Sequence, residues 1–265
     1  MSRSKLFALA ALLATTSVPT ALAQEGGAPD FLALGVAMSP DHPGSDDYRF
    51  LPFGAGRVTS GGVVYQVEGP GISAAFFNQN NVEAGVFGRW VGGRDDDIDD
   101  AVVGLLPERD GSPITGGFVR VRLAEGILSP RDRLSLGARI GADITGEYGD
   151  LFWSSSLSYS APISRSTQLI ANLSISGSGD DYSDALFSVD AAGSAASGLA
   201  SFSAEGGVES FGMTVFLDQA LADNWSVTGV IGASVLQGDY ADSPIVTERG
   251  DVNSYFAGVG LGRRF

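Results

Sequence analysis

Few residues in this chain carry the chemistry of an active site, and their spacing limits what they can do. His42 is the only imidazole base. It sits in Pro40-Asp41-His42-Pro43-Gly44-Ser45, with Ser39 and Ser45 close in sequence. A serine hydrolase built on it needs a separate orienting acid and spatial approach of all three groups. Adjacent residues in a Pro-Gly turn do not supply that, and no G-x-S-x-G run occurs. His42 therefore reads as a turn residue between two prolines. A second cluster, Asp95-Asp96-Asp97-Ile98-Asp99-Asp100, offers the hard oxygen donors that Ca²⁺ or Mg²⁺ prefer. It lacks the sixth-position glycine and closing glutamate of an EF-hand, so a solvated acidic loop is the expected reading. The third set is basic: Arg89, Arg120, Arg122 and Arg139, with Glu83 and Asp143 as the acids they could meet. Buried charges must be paired, so a static paired network is expected ahead of ion selectivity. No catalytic residue, no cofactor and no metal site is expected.

Composition narrows the classes further. The chain has 265 residues, 16 Lys+Arg against 31 Asp+Glu, a net charge of −15, 37 Gly and no Cys. Without cysteine there is no disulfide framework, thiolate metal site or cysteine nucleophile. So acidic a chain repels phosphate, so nucleic acid is not an expected partner. Yet 44% of residues are hydrophobic and mean hydropathy is +0.13, which excludes an acidic disordered tail. Charge and apolar surface must lie in different places.

Residues 1–23 read as a cleaved secretory signal. Arg3 and Lys5 form the basic end, Leu6 to Ala14 the apolar run, and Ala21-Leu22-Ala23 the cleavage site. The run is too short to span a bilayer as a helix, which needs about 20 residues. Removing it takes away the only lysine. The expected organisation is a signal peptide over 1–23 and one barrel domain over 24–265.

The elements that must position these side chains are strands. Period-2 alternation dominates after the signal. In 134–144, Leu134, Leu136, Ala138, Ile140, Ala142 and Ile144 share one face, and Ser135, Gly137, Arg139, Gly141 and Asp143 the other. About eleven residues is the length of a tilted strand crossing a bilayer. The second face is Gly, Ser, Ala and scattered charge, which suits a narrow barrel interior. Strands are expected at 30–39, 49–59, 62–77, 81–91, 115–125, 132–144, 149–161, 166–177, 197–206, 209–221, 224–237 and 251–265. That makes about twelve, an even number as bacterial outer-membrane barrels require. The fold class is thus all-β: a transmembrane antiparallel up-and-down β-barrel. Gly69-Pro70-Gly71 interrupts the third strand, which reads equally as two short strands or one bulged strand. The last strand alternates Tyr255, Ala257, Val259 and Leu261 to a final Phe265, interrupted by Arg263.

With periplasmic termini, this count places connections 40–48 and 238–250 outside and 92–114 and 178–196 in the periplasm. Long periplasmic segments are unusual. Splitting 62–77 into two strands would reverse the side of everything after it.

Three blocks resemble the MipA/OmpV family of outer-membrane proteins, the MltA-interacting proteins. Pro40 to Arg49 with Leu51-Pro52 is similar to the family's P-x-Y-x-G-S-D-x-Y-R…P block, with His42 in place of the usual Tyr. Tyr182 to Val189 with Ala195-Ala196-Ser197-Gly198-Leu199 is similar to its Y…Y-F-G-V…A…S-G-L block, departing at Leu186 and Ser188. Asp242-Ser243-Pro244-Ile245-Val246 and the last aromatic strand form the third. The final strand resembles the segment that barrel-assembly machinery reads. The resemblance implies an outer-membrane barrel with no cofactor and no catalytic residues. It implies outer-membrane lipid and lipopolysaccharide as surroundings. Some members are scaffolds that link a lytic transglycosylase to a penicillin-binding protein in murein synthesis; others are surface antigens or adhesins. A narrow pore for small solutes is the remaining alternative.

Overall fold

The computed structural model describes residues 30–94 and 98–265. The signal expected over 1–23, together with Asp95, Asp96 and Asp97, lies outside the described residues. Twelve antiparallel strands form a closed barrel in which each strand pairs with its sequence neighbours and the first pairs with the last. They are β1 (Phe31–Pro40), β2 (Tyr48–Ser60), β3 (Val63–Glu68), β4 (Gly71–Gln79), β5 (Val82–Val91), β6 (Ser112–Glu125), β7 (Arg133–Asp143), β8 (Leu151–Pro162), β9 (Thr167–Ser178), β10 (Gly207–Ala220), β11 (Trp225–Leu236) and β12 (Asn253–Arg264). Four short helices lie in the connections: α1 (Asp180–Phe187), α2 (Ala191–Ser197), α3 (Gly238–Asp242) and α4 (Pro244–Thr247).

The alternation seen in the sequence sorts the two faces. Leu34, Val36, Leu136, Ile140, Leu173 and Val259 point outward and are exposed. Phe76, Phe77, Trp225 and Phe265 mark one rim of this belt; Phe50, Trp90, Phe211 and Tyr255 mark the other. An apolar outer belt between two aromatic rims is the surface of a barrel that spans a membrane. Glycine makes the narrow interior possible where backbones approach. At Gly260 on β12, an added Cβ would meet the Leu34 carbonyl of the paired β1 at 2.9 Å.

Two strand expectations are corrected, and the errors cancel in the count. The stretch 62–77 is two strands, because Gly69, at φ +56°, and Pro70 turn the chain between β3 and β4. The stretch 197–206 is not a strand. Gly198, at φ +82°, ends α2 in a left-handed cap, and Leu199 and Ala204 are buried beneath the loops. Val189 and Phe202 form only an isolated bridge there.

The sidedness expected for 92–114 and 178–196 is corrected by the same two facts. Connections 61–62, 80–81, 126–132, 163–166 and 221–224 lie at one end of the barrel, together with the start of β1 and the finish of β12. Tight reversals there use Gly61, Gly62, Asn80, Asp223 and Asn224 at positive φ. The long connections at 41–47, 92–111, 144–150, 179–206 and 237–252 all lie at the opposite end.

Candidate functional site

Two layers fill the barrel from the long-loop end downward. The upper layer is a cap made by the five long connections. Its centre is aromatic: Tyr148, Tyr182, Phe187 and Tyr240 are all buried. Tyr182 meets Tyr148 edge-on at 5.2 Å and Phe152 at 4.8 Å, and Phe187 meets Tyr240 edge-on at 5.1 Å. Edge-to-face packing of this kind adds about 0.5–1.5 kcal/mol per pair beyond the area buried. The aromatic cluster is continuous with Phe87, Val91, Ile114 and Phe118 on the barrel wall. A smaller group, Val103, Leu106, Val189, Leu199 and Ile245, joins three of the connections.

Helix α1 is the keystone of this layer. Asp180 and Asp181 occupy its first turn, where the helix dipole favours negative charge. Its last carbonyls face arginines. Arg94 Nη1 donates to the Leu186 carbonyl at 3.0 Å, and Arg109 Nε donates to the Ala185 carbonyl at 3.3 Å. Arg94 also donates to the Pro107 carbonyl through Nε and Nη2, and backbone bonds in both directions join Arg94 to Arg109. Burial, with the nearby Arg109, pushes the Arg94 guanidinium down to about 10, so it stays charged at neutral pH. Ser243 Oγ donates to the Phe187 carbonyl at 2.6 Å. The Tyr240 hydroxyl lies 2.8 Å from Ser178 Oγ and accepts from Ser183 Oγ at 2.8 Å. The Tyr148 hydroxyl donates to the Asp110 carbonyl at 2.8 Å, and burial raises its pKa. Four of the five long connections, 92–111, 144–150, 179–206 and 237–252, are thereby tied to one another.

His42 lies in this cap, buried. Its Nδ1 is 3.0 Å from the Pro43 carbonyl, and its Nε2 is 3.9 Å from Asp41 Oδ1. Burial lowers its pKa, and the Asp41 carboxylate only partly opposes that. Ser45 Oγ accepts from the Asp47 amide at 3.0 Å and does not face the imidazole. Of the acidic run, Asp99 donates its amide to Asp41 Oδ2 at 3.1 Å. Asp100 accepts from the Val102 and Val103 amides and from Arg249. Burial resists ionisation of Asp100, but these hydrogen bonds hold its pKa below the usual value. Among the described residues, no three His, Asp or Glu side chains are grouped to hold a metal ion.

The lower layer is the lumen. Arg120 Nη1 meets Glu83 Oε1 at 2.5 Å and Gln66 Oε1 at 3.0 Å. Arg57 reaches the same Glu83 at 3.5 Å, and Arg139 Nη2 meets Glu68 Oε2 at 2.6 Å. Of the expected network, Arg120 meets Glu83 as expected, while Arg122 and Arg139 take other partners. Arg122 pairs with Glu125 at the turn end, and Glu68, not Asp143, receives Arg139. Asp143 instead accepts from Ser112 and from the Tyr148 amide. Facing this charged wall is a hydroxyl-rich one, with Ser154, Ser156, Ser158, Asn172, Ser174 and Ser176 on β8 and β9.

The residues that matter most here were only partly visible in the sequence. Tyr182, Phe187 and Ser243 lie in the blocks noted above, but nothing in the alternation marks them as an interior plug. Arg94 and Arg109 carried no signal, because a buried arginine that serves helix carbonyls has no fixed spacing.

Residues 32–265 match the family described as "MltA-interacting protein MipA". No curated protein matches the chain. Among solved structures, a bacterial polysaccharide outer membrane secretin is similar at 10% identity and a TM-score of 0.41, covering 89% of this chain and 98% of that one. OprB of Pseudomonas putida is similar at 11% identity and 0.40, covering 82% and 56%. OmpT of Vibrio cholerae is similar at 8% identity and 0.37, covering 92% and 99%.

Proposed function

The chain belongs to the MltA-interacting protein family, and from that premise we propose a non-enzymatic interaction protein of the outer membrane. Outer-membrane lipid and lipopolysaccharide surround it. A periplasmic lytic transglycosylase and a penicillin-binding protein of the murein machinery are its partners. The carrying observation is the aromatic cap: Tyr148, Tyr182, Phe187 and Tyr240 close the long-loop end, and paired charges occupy the lumen below. A barrel so filled is poorly suited to passing solutes and well suited to presenting surfaces.

Bacterial barrels keep short turns in the periplasm and long loops outside. That rule puts the cap outside and moves the scaffold surface. Connections 92–114 and 178–196 no longer offer a periplasmic platform; the five short turns and the lumen mouth do. Photo-crosslinking residues at Arg131 and Ala222 sample this end, and residues at Ala192 and Glu248 sample the cap. The expected result is adducts with a murein enzyme from the first pair only. Such adducts absent from the turn end, with an external partner captured by the cap, would replace the scaffold with the surface antigen or adhesin reading. That second reading has its own support: the three longest connections, 92–111, 179–206 and 237–252, gather at one end and interlock.

A further inference from the structure

The barrel wall is not of even height. β3 has six residues. It extends about 20 Å, or about 15 Å after a tilt near 40°, short of the apolar band of about 25 Å. On either side of the β3–β4 hairpin, β2 and β5 continue upward past the Gly69-Pro70 turn. β2 pairs with β3 only from Ala55 to Ser60, whereas it pairs with β1 all the way to Tyr48. β4 pairs with β5 no higher than Arg89, and the Trp90 amide closes on the Pro70 carbonyl. Above that turn, among the described residues, the wall holds a window. β2 bounds one side and β5 the other. The contact of the Asp99 amide with Asp41, together with the Arg249–Asp100 pair, closes the top. Three strand spacings give a width of about 14 Å.

The free edge of β2 is adapted to lie open. The Gly54 carbonyl accepts from the Gly69 amide, so even-numbered residues of β2 turn their backbone groups towards β3. The next such residue upward is Pro52, which has no N–H to leave unpaired. Among the described residues, no backbone partner meets Phe50 on that side. An open sheet edge facing lipid is costly, so something must lie against it.

We infer that the window admits an acyl chain of an outer-leaflet lipid, with its anionic headgroup held by Arg49. The rim is apolar: Phe50, Ile72 and Trp90 are exposed around it. Leu51 shares the inward face of β2 with Phe53 and Ala55, which are buried, yet Leu51 is 39% exposed. Inward apolar surface left uncovered beside such a window suits a hydrocarbon chain. Arg49 lies two residues higher on the same face, and its Nε is buried without a hydrogen-bond partner. No ion pair among the described residues involves Arg49 or Arg89. Arg89 is in electrostatic range of Glu209, which leaves Arg49 as the group that calls for an anion.

The chain has no cysteine, so a single introduced thiol reports alone. Leu51→Cys, outward-facing Leu136→Cys and inward-facing Ser156→Cys are labelled with a small fluorophore in bilayers, with folding checked by heat-modifiable gel mobility. The quenchers are phosphatidylglycerol or phosphatidylcholine with brominated chains. The expected result is several-fold more quenching at Leu51 than at Ser156, approaching Leu136, and a preference for the anionic lipid that Arg49→Gln removes. Quenching at Leu51 no greater than at Ser156 overturns the proposal. In that case iodide access identifies a water-filled window, and iodide exclusion with Phe50→Cys dimers identifies a second copy on the β2 edge. Equal quenching by both lipids, unchanged in Arg49→Gln, overturns the role of Arg49. Native mass spectrometry of unlabelled protein gives an independent reading: retained anionic lipid is expected, and its absence counts against the site.

Discussion

At His42, burial favours the neutral ring, and the direction of that effect sets a pH response. Its folded pKa lies below the ordinary value of about 6.5. The stability it contributes is therefore present above pH 6.5 and is lost as pH falls through the lowered value. Protection factors of the amides in 41–47, corrected for intrinsic exchange, should fall on acidification from pH 7 to 5, and His42→Tyr should remove that acid sensitivity. Unchanged pH dependence in the variant would clear His42 of the effect. Asp132 behaves differently, at the other end of the molecule. Burial opposes its ionisation, but the Tyr159 hydroxyl and the amides of Leu128, Ile127 and Ser129 hold its pKa down to about 2. Its contribution is complete above the ordinary carboxylate pKa near 4 and is lost as pH falls through about 2. Asp132→Asn should lower the unfolding temperature at pH 7 and flatten the loss seen between pH 4 and 2. Neither environment was readable from the sequence, where His42 was a turn residue and Asp132 an anonymous acid. Partners 27 residues away, such as Tyr159, do not show in local spacing.

Among the elements, the strands were legible and the helices were not. Alternation in β7, β8, β9, β11 and β12 marks inside and outside residue by residue, because lipid and lumen select opposite side chains. Alternation alone misreads Leu199 to Ala204, a loop of the cap in which only Leu199 and Ala204 are buried, because apolar and small residues alternate there too. The break at Gly69-Pro70 was visible, but its meaning as a hairpin needed the register of β2 and β5. Helix α1 has eight residues, too few for a clear period. It exists because Arg94 and Arg109 satisfy its last carbonyls and the cap buries its aromatic face. Arg94→Ala would leave the buried Leu186 carbonyl without its partner, a loss of about 1–3 kcal/mol. That loss should appear as faster hydrogen exchange in 180–187, with exchange in β7 to β9 unchanged. Equal loosening of the strands would mean that cap and barrel unfold as one unit.

At the scale of the whole molecule, the barrel carries an aromatic cap over its long-loop end, and the sequence could not say so, since twelve strands are compatible with an open lumen. Planar-bilayer recordings of the intact protein should show no stable unitary steps. Replacing 180–205 with a short turn should produce them, because that segment carries Tyr182 and Phe187. Steps of equal size from both proteins would show that the cap does not close the lumen. The way the barrel meets itself has another consequence. β1 pairs with β12 from Phe31↔Arg264 to Met38↔Ala257, and the Phe265 amide donates to the Asp30 carbonyl at 3.0 Å. The folded polypeptide is thus almost a ring whose opening is a matter of genetic convenience. Joining residue 265 to residue 30 by a short peptide and reopening the chain between Gly61 and Gly62 would give a permuted gene encoding the same cylinder, with β2 as the new last strand presented to the insertion apparatus.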